Sequence, residues 1–295
     1  MANVLGVCHV ASDIDKLTHF FRSVLEFTKV DIHQSKDQTL VKLQLGHEFN
    51  YLMQYSGGHG RPFPKDTHGN DLWFQHIAIV VSDMDKAYDK LMHHGLQPIS
   101  ASPQTLPEWN IAAAGIKAFY FRSPEGHPLE LIWFPSGKGN PIWQTKKSLF
   151  LGINHTAITV ANTDVSSKFY EELGMKVVGG SLNHGETQEK LSGVPGAKVK
   201  ITTVSYPQPH SMGVEFLEYL NPLGGRKKPE DTQLHDLSEV RTIIEVTNLQ
   251  TLTNQLRSWA MEPIGKEVLD SLGGYSKGVI IADPDGHLVL LVEKS

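Results

Sequence analysis

The sequence predicts an α+β protein built from four βαβββ modules that are arranged in two pairs. Two observations lead to this prediction. The chain repeats itself once, and each half contains two segments in which a short apolar strand runs directly into a capped amphipathic helix. Because domains usually have roughly 100–200 residues, a chain of 295 residues also fits two domains.

The repeat is visible in short motifs that recur in the same order. Leu5–Val10 near the start of the chain matches Leu151–Thr156, and Ser123–His127 matches Asp283–His287 near the C-terminus. Repeated motifs of this kind indicate duplicated structural units.

The segment between the two copies is rich in Gly, Pro and Lys, which is typical of a linker. We therefore predict a first domain of residues 1–135, a linker of residues 136–149 and a second domain of residues 150–295.

Each half divides again into two modules. Four apolar, partly alternating segments are predicted to be strands: Val7–Ala11, Ile77–Val81, Ile153–Val160 and Ile243–Val246. Each is followed by a residue that can cap a helix: Ser12 or Asp13, Ser82 or Asp83, Asn162, and Asn248. Apolar residues then recur at spacings of three and four, so each helix is expected to pack one face against the core.

Composition excludes several classes of function. The net charge of −5 gives no long-range attraction to nucleic acid or to an anionic membrane, and no segment reaches the ~18 apolar residues of a membrane span. Cys8 is the only cysteine, so neither a disulfide framework nor a cysteine-based zinc site is expected. Met1–Val10 does not have the pattern of a signal peptide, and we expect a cytoplasmic protein.

Several motifs resemble those of the vicinal oxygen chelate superfamily, which includes glyoxalases, bleomycin-resistance proteins and extradiol dioxygenases. They are a histidine shortly before each helix of the first and third modules, the pair Phe169-Tyr170 within a helix, and the segment Phe121–Glu130. The resemblance covers essentially the whole chain. It implies that two modules pair into an incomplete barrel, so that the chain forms two incomplete barrels in tandem, and that a divalent metal lies inside. Members of this family often pair modules between chains, so a homodimer is also possible.

In the family, metal ligands come from the first and last strands of each module. The matching places in the N-terminal half hold His9, Tyr51, His76 and Glu130. Glu130 interrupts an apolar strand, where a carboxylate is costly unless it is paired, exposed or bound to metal. We therefore predict a metal site formed by His9, His76 and Glu130.

Tyr51 departs from the glyoxalase pattern, because alignment places it opposite Glu215 and related enzymes use a glutamate there. Two histidines and one glutamate form the facial triad that is associated with non-haem Fe(II) oxygenases. Fe(II) is thus the expected cofactor, while Mn²⁺, Ni²⁺ or Zn²⁺ would suit isomerase chemistry. The extra histidine of extradiol enzymes is missing from Trp109–Gly115, which leaves Tyr51 or Tyr120 to handle protons.

The second half is predicted to carry a degenerate site. It has His155 and Glu215, but Arg241 replaces the second histidine and Leu290 replaces the last glutamate. Because arginine has no lone pair to offer, no tight metal is expected there. An alternative role for His155 and Glu215 is an internal pair with Arg241.

Substrate contacts are predicted from a proline-containing loop and its surroundings. Trp73 and Trp109 would form a flat apolar wall, and Gln104, Asn110 and Arg122 would supply polar anchors. Such a pocket would suit a small oxygenated molecule, including an aromatic one. Packing at module interfaces is the alternative role of both tryptophans.

Three functions remain open from the sequence. The preferred one is a metal-dependent dioxygenase, which would consume O₂. The second is a glyoxalase-like lyase or isomerase, in which the metal binds two adjacent oxygens and stabilises an enediolate. The third is a metal-free protein that binds or sequesters a small molecule and would keep its affinity if Glu130 were replaced.

Overall fold

The computed structural model describes residues 2–58, 60–208, 211–223, 225–256, 258–259 and 261–294. Four modules follow one another along this chain, as the sequence predicts. Each begins with a buried strand and a capped helix and continues with further strands. No helix in these ranges is long and apolar enough to span a membrane.

The elements of the N-terminal half form modules 1 and 2. Module 1 contains β1 (Asn3–Val10), α1 (Ile14–Ser23), β2 (Thr28–Gln34), β3 (Gln38–Leu45) and β4 (Glu48–Tyr55). Module 2 contains β5 (Gln75–Val81), α2 (Met84–His93), β6 (Gln104–Thr105), β7 (Lys117–Arg122) and β8 (Pro128–Trp133).

The C-terminal half begins after a short 3₁₀ helix at Pro141–Gln144. Module 3 contains β9 (Phe150–Thr159), α3 (Thr163–Glu172), β10 (Lys176–His184), α4 (Glu186–Ser192), β11 (Lys198–Ser205) and β12 (Gly213–Asn221). Module 4 contains β13 (Val240–Glu245), α5 (Leu249–Gln255), β14 (Met261–Pro263), α6 (Lys266–Ser271), β15 (Lys277–Ala282) and β16 (Leu288–Glu293).

The first helix of each module begins where the sequence places its cap. The side chains of Asp13, Asp83, Asn162 and Asn248 each accept a hydrogen bond from a backbone N–H in the first turn of the helix that follows. This bond satisfies one of the N–H groups that a helix leaves unpaired at its start. The apolar faces of these helices pack into one core that also includes residues of both sheets.

The modules pair across the two halves of the chain. One eight-stranded sheet has the order β14-β15-β16-β13-β1-β4-β3-β2, and the other has the order β10-β11-β12-β9-β5-β8-β7-β6. We call the incomplete barrel formed by modules 2 and 3 the central barrel, and the one formed by modules 1 and 4 the terminal barrel. The expectation that residues 1–135 and residues 150–295 each form a barrel of their own is wrong, because β5 pairs with β9 and β1 pairs with β13.

Two loops of related sequence cross between the barrels. Arg61, after β4, bonds Asp236 and Asp231 in the loop before β13. Arg226, after β12, bonds Asp71 and Asp66 in the loop before β5 by the same arrangement. The paired arginine-aspartate contacts join the two halves symmetrically.

Candidate metal centre

Three side chains converge inside the central barrel. His76 lies on β5, Glu130 on β8 and His155 on β9, and each offers one donor atom within 4.8 Å of the others. Both histidines stand seven residues before the cap of the following helix, Asp83 or Asn162. The pseudo-symmetric pairing of β5 with β9 therefore brings the two imidazoles together, with 5.9 Å between their ring centres.

The distances suit a shared cation. Nε2 of His76 lies 3.0 Å from Oε2 of Glu130, and Nε2 of His155 lies 3.4 Å from the same oxygen. Donor atoms that share a cation at about 2.1 Å are about 3.0 Å apart in an octahedral site and about 3.4 Å apart in a tetrahedral one. Two imidazoles and a carboxylate are also ligands that Fe, Mn, Co, Ni and Zn accept. The residues therefore fit a divalent metal.

Neighbouring groups set the orientation of both imidazoles. Nδ1 of His155 donates to Oδ1 of Asn154 at 2.9 Å, which leaves the Nε2 lone pair available to a ligand. For His76, Nδ1 has no hydrogen-bond partner among the described residues. Its ring is instead held by aromatic contacts, with Tyr120 at 4.8 Å and Phe74 at 5.8 Å between ring centres.

The electrostatics of the centre favour a cation. Burial would raise the pKa of Glu130, but hydrogen bonds with His155 and His76 lower it to about 2. Burial would lower the pKa of His155, but the carboxylates of Glu215 and Glu130 raise it above its ordinary value. A proton on His155 thus offsets buried negative charge, and a bound metal would take over this role and release the proton.

Glu215 adds a second carboxylate from β12. Its Oε2 lies 3.5 Å from Nε2 of His155, and its Oε1 accepts a hydrogen bond from the Thr203 hydroxyl at 3.0 Å. It is outside the group of three whose donor atoms lie within 4.8 Å of one another, and its side chain is 20% exposed while that of Glu130 is 5% exposed. Glu215 is therefore the carboxylate with more freedom to move and to meet a ligand.

The predicted ligand His9 lies elsewhere. Counting seven residues back from the cap Asp13 leads to Gly6, and His9 stands three residues further along β1, where side chains point to the opposite face. There Nδ1 of His9 contacts Oδ1 of Asn50 at 2.8 Å, and the ring packs against Phe21 of α1. The structure thus brings together His76, Glu130 and His155, and not the predicted set of His9, His76 and Glu130.

The terminal barrel has no comparable centre among the described residues. Tyr51 faces Cys8 across β4 and β1 and packs in an apolar cluster with Leu290, so it is not part of the metal centre. Burial raises the pKa of Tyr51 well above its ordinary value. Arg241 donates to the Tyr55 hydroxyl, at 3.1 Å, and to a backbone carbonyl, and it does not pair with His155 or Glu215 as the sequence suggested.

A cavity of about 320 Å³ lies beside the central cluster. Glu130, His155 and Glu215 lie on its wall together with Tyr120, which was predicted to handle protons. Burial and the nearby Glu130 carboxylate raise the pKa of Tyr120 well above its ordinary value, so its hydroxyl stays protonated near neutral pH. The rest of the wall is mostly apolar and comes from modules 2 and 3.

The five residues predicted to contact substrate differ in their position relative to this cavity. Asn110 bonds Asn183, a cavity residue, with its Nδ2 at 2.6 Å from Oδ1. Its neighbour Trp109 stacks on His184 at 4.2 Å, beside a smaller depression.

Trp73, Gln104 and Arg122 are not among the residues that line this cavity. Arg122 donates to backbone carbonyls, Gln104 bonds Ser102, and Trp73 packs beneath the guanidinium of Arg226.

Sequence comparison identifies the family. A family model described as the Glyoxalase/Bleomycin resistance protein/Dioxygenase superfamily matches residues 6–131 and 152–291. The chain belongs to this superfamily. A 2-epi-5-epi-valiolone epimerase from Actinomyces sp is 28% identical over 149 residues, which is 44% of this chain and 79% of the epimerase.

Two solved structures share the fold of the whole chain. Glyoxalase I from Zea mays has a TM-score of 0.69 at 16% identity, with 99% of this chain and 92% of the maize chain covered. A proposed dioxygenase from Bacillus subtilis has a TM-score of 0.62 at 10% identity, with 99% and 85% covered. At these identities the similarity shows a common fold, while the chemistry depends on the residues of each site.

Proposed function

We propose that this chain is a divalent-metal-dependent isomerase, epimerase or lyase that moves a proton at a carbon next to a carbonyl group. The observation that carries this proposal is the position of Glu215. It brings a second carboxylate beside the three-residue cluster, and the cavity reaches it.

The residues of the centre divide into two roles. His76, Glu130 and His155 would hold the metal, which when bound would polarise a carbonyl oxygen and make the neighbouring C–H bond more acidic. Glu215, steadied by the Thr203 hydroxyl, accepts the proton from that carbon. Delivery of a proton from solvent to the opposite face of the carbon gives an epimer, while return of the proton by Glu215 to a neighbouring atom gives an isomer, so no oxidant is needed.

The preference for a dioxygenase rested on Tyr51 replacing the fourth glutamate. That premise is wrong, because Glu215 occupies the corresponding place in the central barrel and Tyr51 lies in the terminal barrel. Fe(II) and O₂ chemistry therefore stays a prediction, which the two-histidine, one-glutamate composition of the cluster still fits. The similarity to the epimerase, over 44% of the chain, supports the proton-transfer alternative.

The proposal is tested by hydrogen exchange in D₂O. Metal-loaded protein is incubated without oxygen with a panel of α-hydroxy ketones, and loss of the proton next to the carbonyl is followed by NMR. We expect exchange that Glu215→Gln slows by about 10²- to 10⁴-fold without loss of metal. Glu218→Gln, on the same strand but bound to Lys200 and the start of α3, is the matched control and should keep full activity.

Two outcomes would contradict the proposal. One is oxygen uptake by Fe(II)-loaded protein that depends on substrate, in the absence of anaerobic exchange. The other is a Glu130→Ala variant that loses its metal but keeps its affinity for the probes, as expected of a metal-free binding protein.

A further inference from the structure

The wall of the central cavity is nearly free of charge beyond the metal centre. Its carboxylate and imidazole groups belong to Glu130, Glu215 and His155, and no lysine or arginine is among the described residues that line it. Lys138 reaches the neighbouring loop, but its Nζ donates to the carbonyl oxygens of Ile111 at 2.6 Å and Ala112 at 3.4 Å.

The helix that borders the cavity also offers no site for an anion. Leu191 of α4 lines the wall, but the first turn of α4 carries Glu186 and Glu189. Proteins bind buried phosphates and carboxylates with arginine, lysine or an unobstructed helix start. An anionic group in this cavity would lose its hydration without gaining such a partner.

Neutral polar groups extend from the metal centre along one side of the cavity. Asn154, Ser181, Asn183 and Thr203 are all on its wall. Thr203 pairs with Gly179 in the β10–β11 register, and Asn183 lies four residues further along β10, about 13 Å away at the usual rise per residue. The polar side is therefore long enough to contact a small polyol along its whole length.

The carboxamide of Asn183 is oriented for a ligand. Its Oδ1 accepts from Nδ2 of Asn110 at 2.6 Å and from the Ser181 hydroxyl at 2.9 Å. Its hydrogen bonds to the described residues are made through Oδ1, and Asn183 lies on the cavity wall. The amide N–H groups of such a side chain are well suited to a hydroxyl oxygen.

We infer that the substrate is an uncharged carbonyl compound that carries several hydroxyl groups, and that phosphorylated or carboxylate-bearing carbonyl compounds are poor ligands. This inference rests on the proposed function for the role of the metal centre. It adds the charge class of the substrate and assigns Ser181 and Asn183 to the recognition of its hydroxyl groups.

The test uses the Co²⁺-loaded protein and two matched pairs of probes: dihydroxyacetone with its phosphate, and xylulose with xylulose 5-phosphate. The visible absorption of Co²⁺ reports binding, and NMR in D₂O reports exchange at the carbon next to the carbonyl. Methyl phosphate at the same concentration measures direct binding of phosphate to the cobalt. After the direct binding of phosphate to cobalt has been subtracted, we expect each neutral probe to bind at least about 10-fold more tightly than its phosphate.

Ser181→Lys places a cation in the middle of the polar side without touching a metal ligand. It should keep the bound metal and improve the affinity for the phosphorylated probes by at least about 10-fold. Ser181→Ala is the matched control, and it should bind the neutral probes more weakly without gaining affinity for the phosphates.

The outcomes separate this inference from the proposed function. Tighter binding of the phosphates by the wild type, or no binding of the neutral probes, would overturn the inference. Proton exchange with the phosphorylated probes alone would also overturn the inference, but it would agree with the proposed proton-transfer function. Binding of the neutral probes without any exchange would support the charge class and count against the proposed function.

Discussion

The two barrels have the same strand order, but they differ in the residues that fill their interiors. Four positions correspond between them and hold His76, Glu130, His155 and Glu215 in the central barrel, but Arg241, Leu290, Gly6 and Tyr51 in the terminal barrel. The central positions surround a cavity. In the terminal barrel, apolar side chains that include Leu269, Leu272 and Tyr275 pack around Tyr51 and Leu290.

The difference between the two interiors shows that the fold does not depend on the residues of the metal centre. The same sheet accepts either a polar centre or an apolar filling, so neither is needed for the strand order. The polar centre costs stability unless a cation completes it, whereas the apolar filling contributes to stability.

The largest expected effect comes from making the same change at corresponding positions. Leu290→Ala should lower the free energy of unfolding by about 2–5 kcal/mol, because it leaves a cavity in a packed cluster. Glu130→Ala also costs stability, because it removes one partner of a buried ion pair, but its loss should grow when metal is added, since the wild type alone is stabilised by bound metal. Urea unfolding of both variants with a chelator and with added metal measures the difference, and a loss at Leu290→Ala that grows equally with metal would contradict the contrast between the barrels.

A smaller effect is expected at the contact between the barrels. Glu48 on β4 is buried against β9, where its Oε2 accepts from the Ile153 N–H at 3.2 Å, and burial raises its pKa to about 7 from an ordinary value of 4.5. A group whose pKa is raised by folding stabilises the protein fully at pH values below its unfolded pKa, and this contribution is lost as the pH rises through 7. The wild type should therefore lose on the order of 1–3 kcal/mol between pH 5 and pH 8 through Glu48.

The matched variant for this pH effect is Glu48→Gln, which should reduce the slope of stability against pH. Part of the slope should remain, because burial also raises the pKa of Asp283 to about 7. An unchanged slope in Glu48→Gln would show that Glu48 does not titrate in this range.

Local features of the fold could be predicted from the sequence because they depend on neighbouring residues. Helix caps such as Asp83 and Asn162 act within four residues, and the apolar strands before them are continuous segments. The pairing of β5 with β9 depends instead on contacts between residues about 80 positions apart, such as Ile77 with Thr156. No local pattern indicates such a pairing.

The candidate site could be predicted in part. His76 and Glu130 are members of the cluster, but His9 was predicted in place of His155 because all three ligands were sought within the N-terminal half. The distance to the following cap distinguishes them, since His155 stands seven residues before its cap and His9 only four. An odd difference in strand position reverses the face to which a side chain points.

The most direct test of this account counts metal ions in two single variants. His155→Gln and His9→Gln are loaded with Mn²⁺ or Co²⁺, dialysed, and analysed for metal per folded chain. We predict that His155→Gln loses most of its bound metal, whereas His9→Gln binds the same amount as the wild type. Retention of metal by His155→Gln together with its loss from His9→Gln would contradict the assignment of the centre to the central barrel.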